Sequence, residues 1–171
     1  MTQGGVATEQ TAGEGRASLL ALAGKYLTFQ LGGEEYGLEI LKVREIIGML
    51  DVTYVPQTEP FVRGVINLRG KVIPVIDLRR KFGLEHREDD DRTCTIVVEV
   101  NSASGQRLLM GIVVDQVREV VNVRGEDIEP TPSFGSHMDT EYILGMAKVD
   151  SGVKILLAID RVVGDSQLVL V

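Results

Sequence analysis

Residues that build metal-binding or redox sites are scarce in this sequence. Its 171 residues include one cysteine, two histidines and no tryptophan. A single cysteine cannot form a disulfide within the chain, which fits a reducing cytoplasm. Neither His86 nor His137 has a cysteine or histidine at ligand spacing, so we expect no zinc site.

Two non-protein partners are disfavoured as well. The net charge is −7, so the chain has no electrostatic reason to bind nucleic acid or an anionic membrane surface. No run approaches the roughly 18 apolar residues of a membrane span. We therefore expect neither nucleic-acid binding nor direct insertion into a membrane.

Catalytic motifs are also missing from the sequence. No Walker A or G-x-G-x-x-G motif follows a strand pattern and opens a helix, and no serine lies in a G-x-S-x-G context. The acidic run Glu88–Asp91 lacks the spaced ligands and the glycine of an EF-hand loop, which favours a solvated linker. A barrel hydrolase that uses a pair of Asp or Glu side chains stays open, although no pair stands out.

The composition favours an ordered β protein behind a polar tail. Hydrophobic residues make up 44% of the chain but aromatic residues only 5%, so Val, Ile and Leu must fill the interior. Such enrichment in β-branched residues favours strands. Residues 1–24 are rich in glycine and polar residues, which predicts a disordered tail with at most a brief helical turn at Ser18–Ala23.

An internal repeat organises the remaining residues. Strand patterns occur at Lys25–Leu31 and Glu35–Val43, and again at Arg92–Val100 and Arg107–Val117. The two copies align at an offset of 74 (Gly37 and Gly111), then of 81 (Gly64 and Gly145), then of 83 (Asp77 and Asp160). Loop insertions in a duplicated unit produce this drift.

Each copy holds about five short strands and a helical turn, at Asp77–Phe82 and at Asp160–Val163. Five strands in so short a segment leave exposed edges unless they close into a barrel. We therefore predict one all-β domain over residues 25–171, made of two intertwined SH3-like five-stranded barrels at about 25–87 and 92–171. Each is small for a stable core, so the two should pack on a shared apolar seam.

The repeat separates structural residues from binding candidates. The glycines and the two aspartates recur, which suits tight packing and the N-caps of the helical turns. Arg69 does not recur, because its counterpart is Asp150, and Asn67 corresponds to Lys148. Arg69 and Asn67 are therefore candidates for partner contact.

The stretch Phe61–Leu78 reads as a β-hairpin with Arg69 at its tip. Pro74 makes its second strand an edge strand or places the proline where no N–H is needed. The segment RGVINLRGKVIPVIDLRRKF resembles the central motif of the CheW family, and LGGEEYGLEILKVREI at Leu31–Ile46 resembles the same family. The resemblance extends from Tyr26 to about Val163 and implies the same pair of barrels.

The resemblance implies a non-catalytic chemotaxis scaffold without a cofactor. Its partners would be the cytoplasmic tips of chemoreceptors and the regulatory domain of the histidine kinase CheA, at the inner face of the membrane. Val43, Glu45 and Arg69 match family contact positions, and their positions predict an ion pair between Glu45 and Arg69. Two-residue spacing would place Val43 and Glu45 on one face of a strand. Val117 and Glu119 repeat both residues, so a purely structural role stays open.

In the second copy, the resemblance assigns Glu129 and Phe134 to a ring-forming contact with the kinase. Glu129 is acidic where the family carries a basic residue. Two alternatives remain beside the free-standing scaffold: a CheW-like module of a kinase or of a scaffold–receiver fusion, and the carboxylate-pair hydrolase.

Overall fold

The computed structural model describes residues 18–102, 104–132 and 142–164. Strands dominate, and the helices are short, of four and six residues. The strands are β1 (Gly24–Leu31), β2 (Glu34–Glu39), β3 (Val43–Ile47), β4 (Val62–Leu68), β5 (Lys71–Asp77), β6 (Cys94–Asn101), β7 (Arg107–Val114), β8 (Gln116–Val123), β9 (Ile128–Glu129), β10 (Ile143–Val149) and β11 (Gly152–Leu157). Helices α1 (Leu78–Lys81) and α2 (Ile159–Gly164) follow β5 and β11, and 3₁₀ turns lie at Ile40–Lys42 and Gly125–Asp127. No helix in these ranges is long and apolar enough to span a bilayer.

The strands form two sheets that exchange hairpins between the sequence copies. One sheet has the order β8-β1-β2-β11-β10-β9 and the other the order β3-β6-β7-β5-β4. The first hairpin of each copy thus joins the later strands of the other copy. The predicted all-β class with two barrel-like units is confirmed, but the units are not residues 25–87 and 92–171. Alternating polarity identifies a strand and its faces but not the strand beside it.

The two sheets are related by the predicted repeat. β1 pairs antiparallel with β8 and β2 parallel with β11, just as β6 pairs with β3 and β7 with β5. Neither sheet closes through a full ladder in the described residues. In the second sheet, the segment after β3 reaches β4 through one bridge, with Thr53 and Val65 exchanging hydrogen bonds of 2.8 and 2.9 Å. Gly64 is required there, because a Cβ would overlap the Thr53 carbonyl oxygen.

The core has three parts that follow from the two faces of each strand. The largest cluster joins the sheets and includes Phe29, Tyr36, Ile96 and Ile112, so the predicted shared apolar seam is present. A second cluster, with Tyr26 and Leu156, lies on the other face of the first sheet. A third, with Ile73, Val75 and Val97, lies on the other face of the second.

Two local predictions, the extent of the tail and the Asp77 cap, meet different outcomes. Residues 1–17 lie outside the described residues, but the predicted tail ends before residue 24. Leu19 and Leu22 pack on the cluster around Tyr26, whose hydroxyl donates to the Leu22 carbonyl at 2.6 Å. Asp77 caps α1 as predicted, accepting from the Arg79 N–H at 3.0 Å.

The N-cap role predicted for Asp160 is wrong. Asp160 lies inside α2, and its carboxylate instead accepts from Lys42 Nζ at 2.7 Å and from the Asn101 N–H at 3.0 Å. It therefore connects the end of β6 to the turn before β3. This role depends on tertiary contacts that the repeat alignment does not contain.

Candidate functional site

The β4–β5 hairpin holds Arg69 in a defined position. Arg69 and Gly70 form a two-residue turn and have φ angles of 51° and 87°. Positive φ at both central residues is the type I′ geometry, which matches the twist of the flanking strands. Asn67 Oδ1 accepts from the Gly70 N–H at 2.9 Å, which stabilises the turn. Asp150, the counterpart of Arg69, has a φ of 55°, so the backbone recurs although the side chain does not.

Arg69 and Glu45 form the ion pair that the sequence predicted. Arg69 Nη1 donates to Glu45 Oε2 at 2.9 Å, and Nη2 donates to Oε1, so the pair is bidentate. The Arg69 hydrogen bonds lower the pKa of Glu45 below its ordinary value of 4.5, which keeps this carboxylate charged. Because β3 and β4 are opposite edges of their sheet, the pair crosses the gap between them.

The ion pair is specific to one copy of the repeat. The residues that correspond to Glu45 and Arg69 are Glu119 and Asp150, and two carboxylates cannot form the same contact. The Arg69 side chain retains 73% of its accessible surface, whereas Glu45 retains 26%. Most of the guanidinium therefore remains available to a second acceptor while one side is held by Glu45.

The predicted common face for Val43 and Glu45 is wrong. Val43 pairs with Val98 and Glu45 with Val97, so β3 carries a bulge at Arg44. Adjacent residues of β6 face opposite sides, and directly paired residues share a face. Val43 therefore packs against the seam with Val98, whereas Glu45 lies on the other face near Arg69. The sequence around Arg44 contains no glycine or proline that could have indicated the bulge.

Three exposed apolar side chains, on or beside the elements that carry the pair, were not predicted from the sequence. Ile46 follows Glu45 and is half exposed, and Val72 pairs with Asn67 and is 61% exposed. Leu41, in the 3₁₀ turn before β3, is 89% exposed. All three are apolar residues in β-rich runs, but the runs did not show which of them are exposed, and at Ile46 the bulge also shifts the alternation.

The second-copy candidates are only partly described. Glu129 lies in β9 and pairs with Lys148 Nζ at 2.8 Å, which raises the pKa of Lys148. Its carboxylate is thus engaged within the chain. Phe134 lies outside the described residues. Lys148 corresponds to Asn67 of the first hairpin, so the same position holds a turn in one copy and an ion pair in the other.

One cluster of carboxylates in the described residues lies beside the linker between the copies. Asp77, Glu88 and Asp89 line a cavity of about 340 Å³. Arg63 donates to both oxygens of Asp89 at 2.7 and 2.8 Å and to Asp77 at 3.3 Å. The Arg63 contacts lower the pKa of Asp89, which is opposite to the shift that a general acid needs. The cluster instead fixes the linker to α1.

A family comparison places these residues in one domain. The model of the CheW-like domain matches residues 25–167, which include every candidate named above. The chain belongs to the CheW family.

Individual relatives agree with this membership. Chemotaxis protein CheW of Klebsiella aerogenes is 40% identical over 162 residues, which cover 92% of this chain and 95% of the relative. Chemotaxis protein CheW of Bacillus subtilis is 36% identical over 117 residues, or 68% of this chain and 71% of the relative. The crystal structure of the scaffolding protein TtCheW from Thermoanaerobacter tengcongensis superposes with a TM-score of 0.75 at 36% identity, covering 86% of this chain and 99% of that one. The two-sheet architecture is therefore that of a solved CheW scaffold.

Proposed function

We propose that this chain is a non-catalytic chemotaxis scaffold that couples the cytoplasmic tips of chemoreceptors to the regulatory domain of the histidine kinase CheA. Membership of the CheW family supports the scaffold role. The observation that carries the site is the ion pair between Glu45 and Arg69, which is exposed and absent from the other copy of the repeat. The protein would act in the cytoplasm, at receptor arrays on the inner face of the membrane.

The side chains of this region would have different roles in partner recognition. Arg69, placed by the Asn67-stabilised turn, would supply direction and partner choice, because charged groups at an interface rim govern selectivity more than affinity. Val43 packs against the seam, so it would add only its exposed part to the contact area. Ile46 and Val72 offer more apolar surface on the strand and the hairpin that carry the pair, and we expect them to supply much of the affinity.

Substitution of Arg69 tests the proposal. Arg69→Ala should weaken binding of a receptor tip fragment or of the CheA regulatory domain, measured by titration with the full chain. The melting temperature should hardly change, because exposed ion pairs contribute little to stability. Arg124→Ala is the matched control, since Arg124 is an exposed arginine paired with Glu126 and Asp127 in the first sheet's turn. Wild-type affinity for both partners in Arg69→Ala would contradict the site.

A charge exchange separates partner contact from local geometry. The double variant Glu45→Arg, Arg69→Glu can restore the internal pair but presents the opposite charge to a partner. We expect binding to stay weak in this variant. Full recovery would mean that the pair only shapes the hairpin.

The second barrel would make the ring contact with the kinase through Glu129 and Phe134. Glu129→Ala frees Lys148, and the resulting basic surface should change the salt dependence of kinase-domain binding. Phe134→Ala should weaken the contact itself. If neither variant alters assembly with the kinase domain, the ring contact lies elsewhere.

The two alternatives predict different observations. A CheW-like module of a kinase or of a scaffold–receiver fusion would carry the same surface, and the mass of the protein isolated from its native cells distinguishes the arrangements. A hydrolase would need one carboxyl of the linker cluster to be protonated. Arg63 opposes this at Asp89, because its two hydrogen bonds to that carboxylate lower the pKa.

A further inference from the structure

The second sheet contains a wedge-shaped opening between β5 and β7. The two strands pair in parallel only from Val75 with Gly111 to Asp77 with Val113. Before that point they diverge, and residues 71–74 and 107–110 line a cavity of about 410 Å³. On their other sides both segments are fully paired, β5 with β4 and β7 with β6. The opening is therefore bounded by two strand edges that have no strand partner within residues 18–102, 104–132 and 142–164.

Pro74 explains why the ladder stops. The pair Val65–Pro74 does not exchange hydrogen bonds, because Val65 uses its N–H and carbonyl for Thr53. The nitrogen of Pro74 therefore faces β7, where it has no hydrogen to donate. In the other sheet the corresponding residue is Ile155, and there the β11–β2 ladder continues through Ile155 and Lys154.

The other sheet also shows how the equivalent opening is closed. Lys154 pairs with Glu35 in the backbone register and also forms an ion pair with its side chain. At the offsets of the repeat, these residues correspond to Ile73 and Leu109. Two apolar side chains cannot form that bridge. The first sheet is thus an internal reference in which the strands β2 and β11 stay paired where β5 and β7 diverge.

The exposed edge of β7 presents hydrogen-bonding groups. The Ser102 N–H donates to the Gln106 carbonyl at 2.8 Å, so these two residues form a hydrogen-bonded pair of the β6–β7 hairpin. From this pair onward, alternate residues of β7 direct their N–H and carbonyl groups toward β6. Arg107 and Leu109 consequently point their N–H and carbonyl groups away from β6 and toward the wedge. Backbone groups of this kind are a template for an added strand.

The charges around the wedge are of one sign. Lys71 lies on one wall and Arg107 on the other, and neither forms an ion pair with any residue the structure describes. Among the described residues no acidic side chain lines the cavity, although the chain as a whole carries −7. Between the cations lie Val72, which is largely exposed, and Leu108. The walls therefore complement a segment that is both apolar and acidic.

We propose that this wedge binds an extended peptide segment with alternating apolar and acidic residues. The segment adds to the free edge of β7 through the backbone of Arg107 and Leu109, as in β-strand addition, and its carboxylates meet Lys71 and Arg107. This inference goes beyond the proposed coupling function and does not depend on it.

A synthetic peptide tests the proposal with the full-length chain. The probe is an eight-residue peptide, blocked at both ends, of alternating valine and glutamate, and the control peptide replaces glutamate with lysine. Backbone amide shifts of the labelled protein should locate the valine–glutamate peptide at residues 71–74 and 107–110. The lysine peptide should not bind there.

Two sets of variants separate the charges from the strand edge. Lys71→Glu with Arg107→Glu should weaken binding of the acidic peptide about tenfold or more. The matched pair Lys25→Glu with Arg92→Glu, also exposed and without an ion pair to any described residue, should change the affinity less than about twofold. Pro74→Ile introduces the residue type found at the corresponding position, Ile155, of the first sheet and supplies the missing N–H. It should extend the β5–β7 ladder and abolish binding while the fold is retained. Pro74→Ala supplies the same N–H with less bulk if the isoleucine variant fails to fold.

The proposal would be overturned if the acidic peptide did not bind or if its amide shifts mapped outside the wedge. Unchanged affinity for that peptide in the Pro74 variants would overturn it as well. Equal binding of the lysine peptide would also reject it, because the charges would then play no part. Receptor-tip and kinase-domain binding, measured on the same Pro74 variants, distinguishes the two sites. If those partners bind normally while the peptide does not, the wedge acts independently of the Arg69 surface.

Discussion

Gly64 provides a quantitative test of how the second sheet is held together. A methyl group at Gly64 would overlap the Thr53 carbonyl oxygen, so Gly64→Ala must break the two hydrogen bonds between Thr53 and Val65. Each contributes about 1 kcal/mol net, or about 2 kcal/mol for both. The φ of 140° adds about 1–2 kcal/mol of backbone strain for a residue with a side chain. We expect Gly64→Ala to lower the free energy of unfolding by about 3–4 kcal/mol.

Two other glycines separate the cost of backbone strain from the cost of the broken hydrogen bonds. Gly70 has a positive φ but open space at its Cβ position, so Gly70→Ala should cost only the strain, about 1 kcal/mol. Gly33 has neither constraint, and Gly33→Ala should change stability by less than about 0.5 kcal/mol. Urea unfolding of the three variants, with hydrogen exchange at the Thr53 and Val65 amides, measures these differences. A loss for Gly64→Ala no larger than that for Gly70→Ala would show that the segment after β3 yields freely, and the reasoning would fail.

Three further predictions follow from titrations and from the strand exchange. Burial, with a smaller effect of Glu39, raises the pKa of Tyr26 to about 12. Phenolate absorbance should therefore show a tyrosine that ionises near that pH, and Tyr26→Phe should remove this transition. The folded state favours the neutral phenol, so this stability contribution is complete below about pH 10 and is lost as the pH rises toward 12. Arg69 lowers the pKa of Glu45, so the coupling free energy of unfolding in a Glu45→Gln, Arg69→Ala double-mutant cycle should be present above pH 4.5. It should be lost as the pH falls through the lowered pKa of Glu45, and coupling that persists at about pH 2 would contradict the ion pair. A fragment of residues 18–91 should not fold alone, because β3 and β5 would lack β6 and β7, and native-like circular dichroism of that fragment would refute the exchange.

Local features were largely predictable from the sequence, whereas the pairing of distant strands was not. The aligned glycines identified the repeat because each occupies a crowded position: a Cβ at Gly111, for example, would lie 2.8 Å from Thr95 Cγ2. The hairpin around Arg69 was predictable because its turn residues act over a few positions. The strand exchange was not, because the same alternating pattern suits either neighbour. The bulge at Arg44 and the bridging role of Asp160 likewise depend on contacts far along the chain.

Duplication and divergence together explain how this scaffold acquires distinct surfaces. Strand exchange makes each sheet depend on both copies, so a structural change in one copy would affect both sheets. Two differences between the copies matter for the surface: Arg69 against Asp150 at a hairpin tip, and Pro74 against Ile155 at a ladder end. The first difference leaves a guanidinium held by Glu45 yet exposed, and the second leaves a strand edge unpaired. A common backbone thus presents a charged tip and an open edge on one sheet, while the other sheet has an acidic tip and a sealed edge.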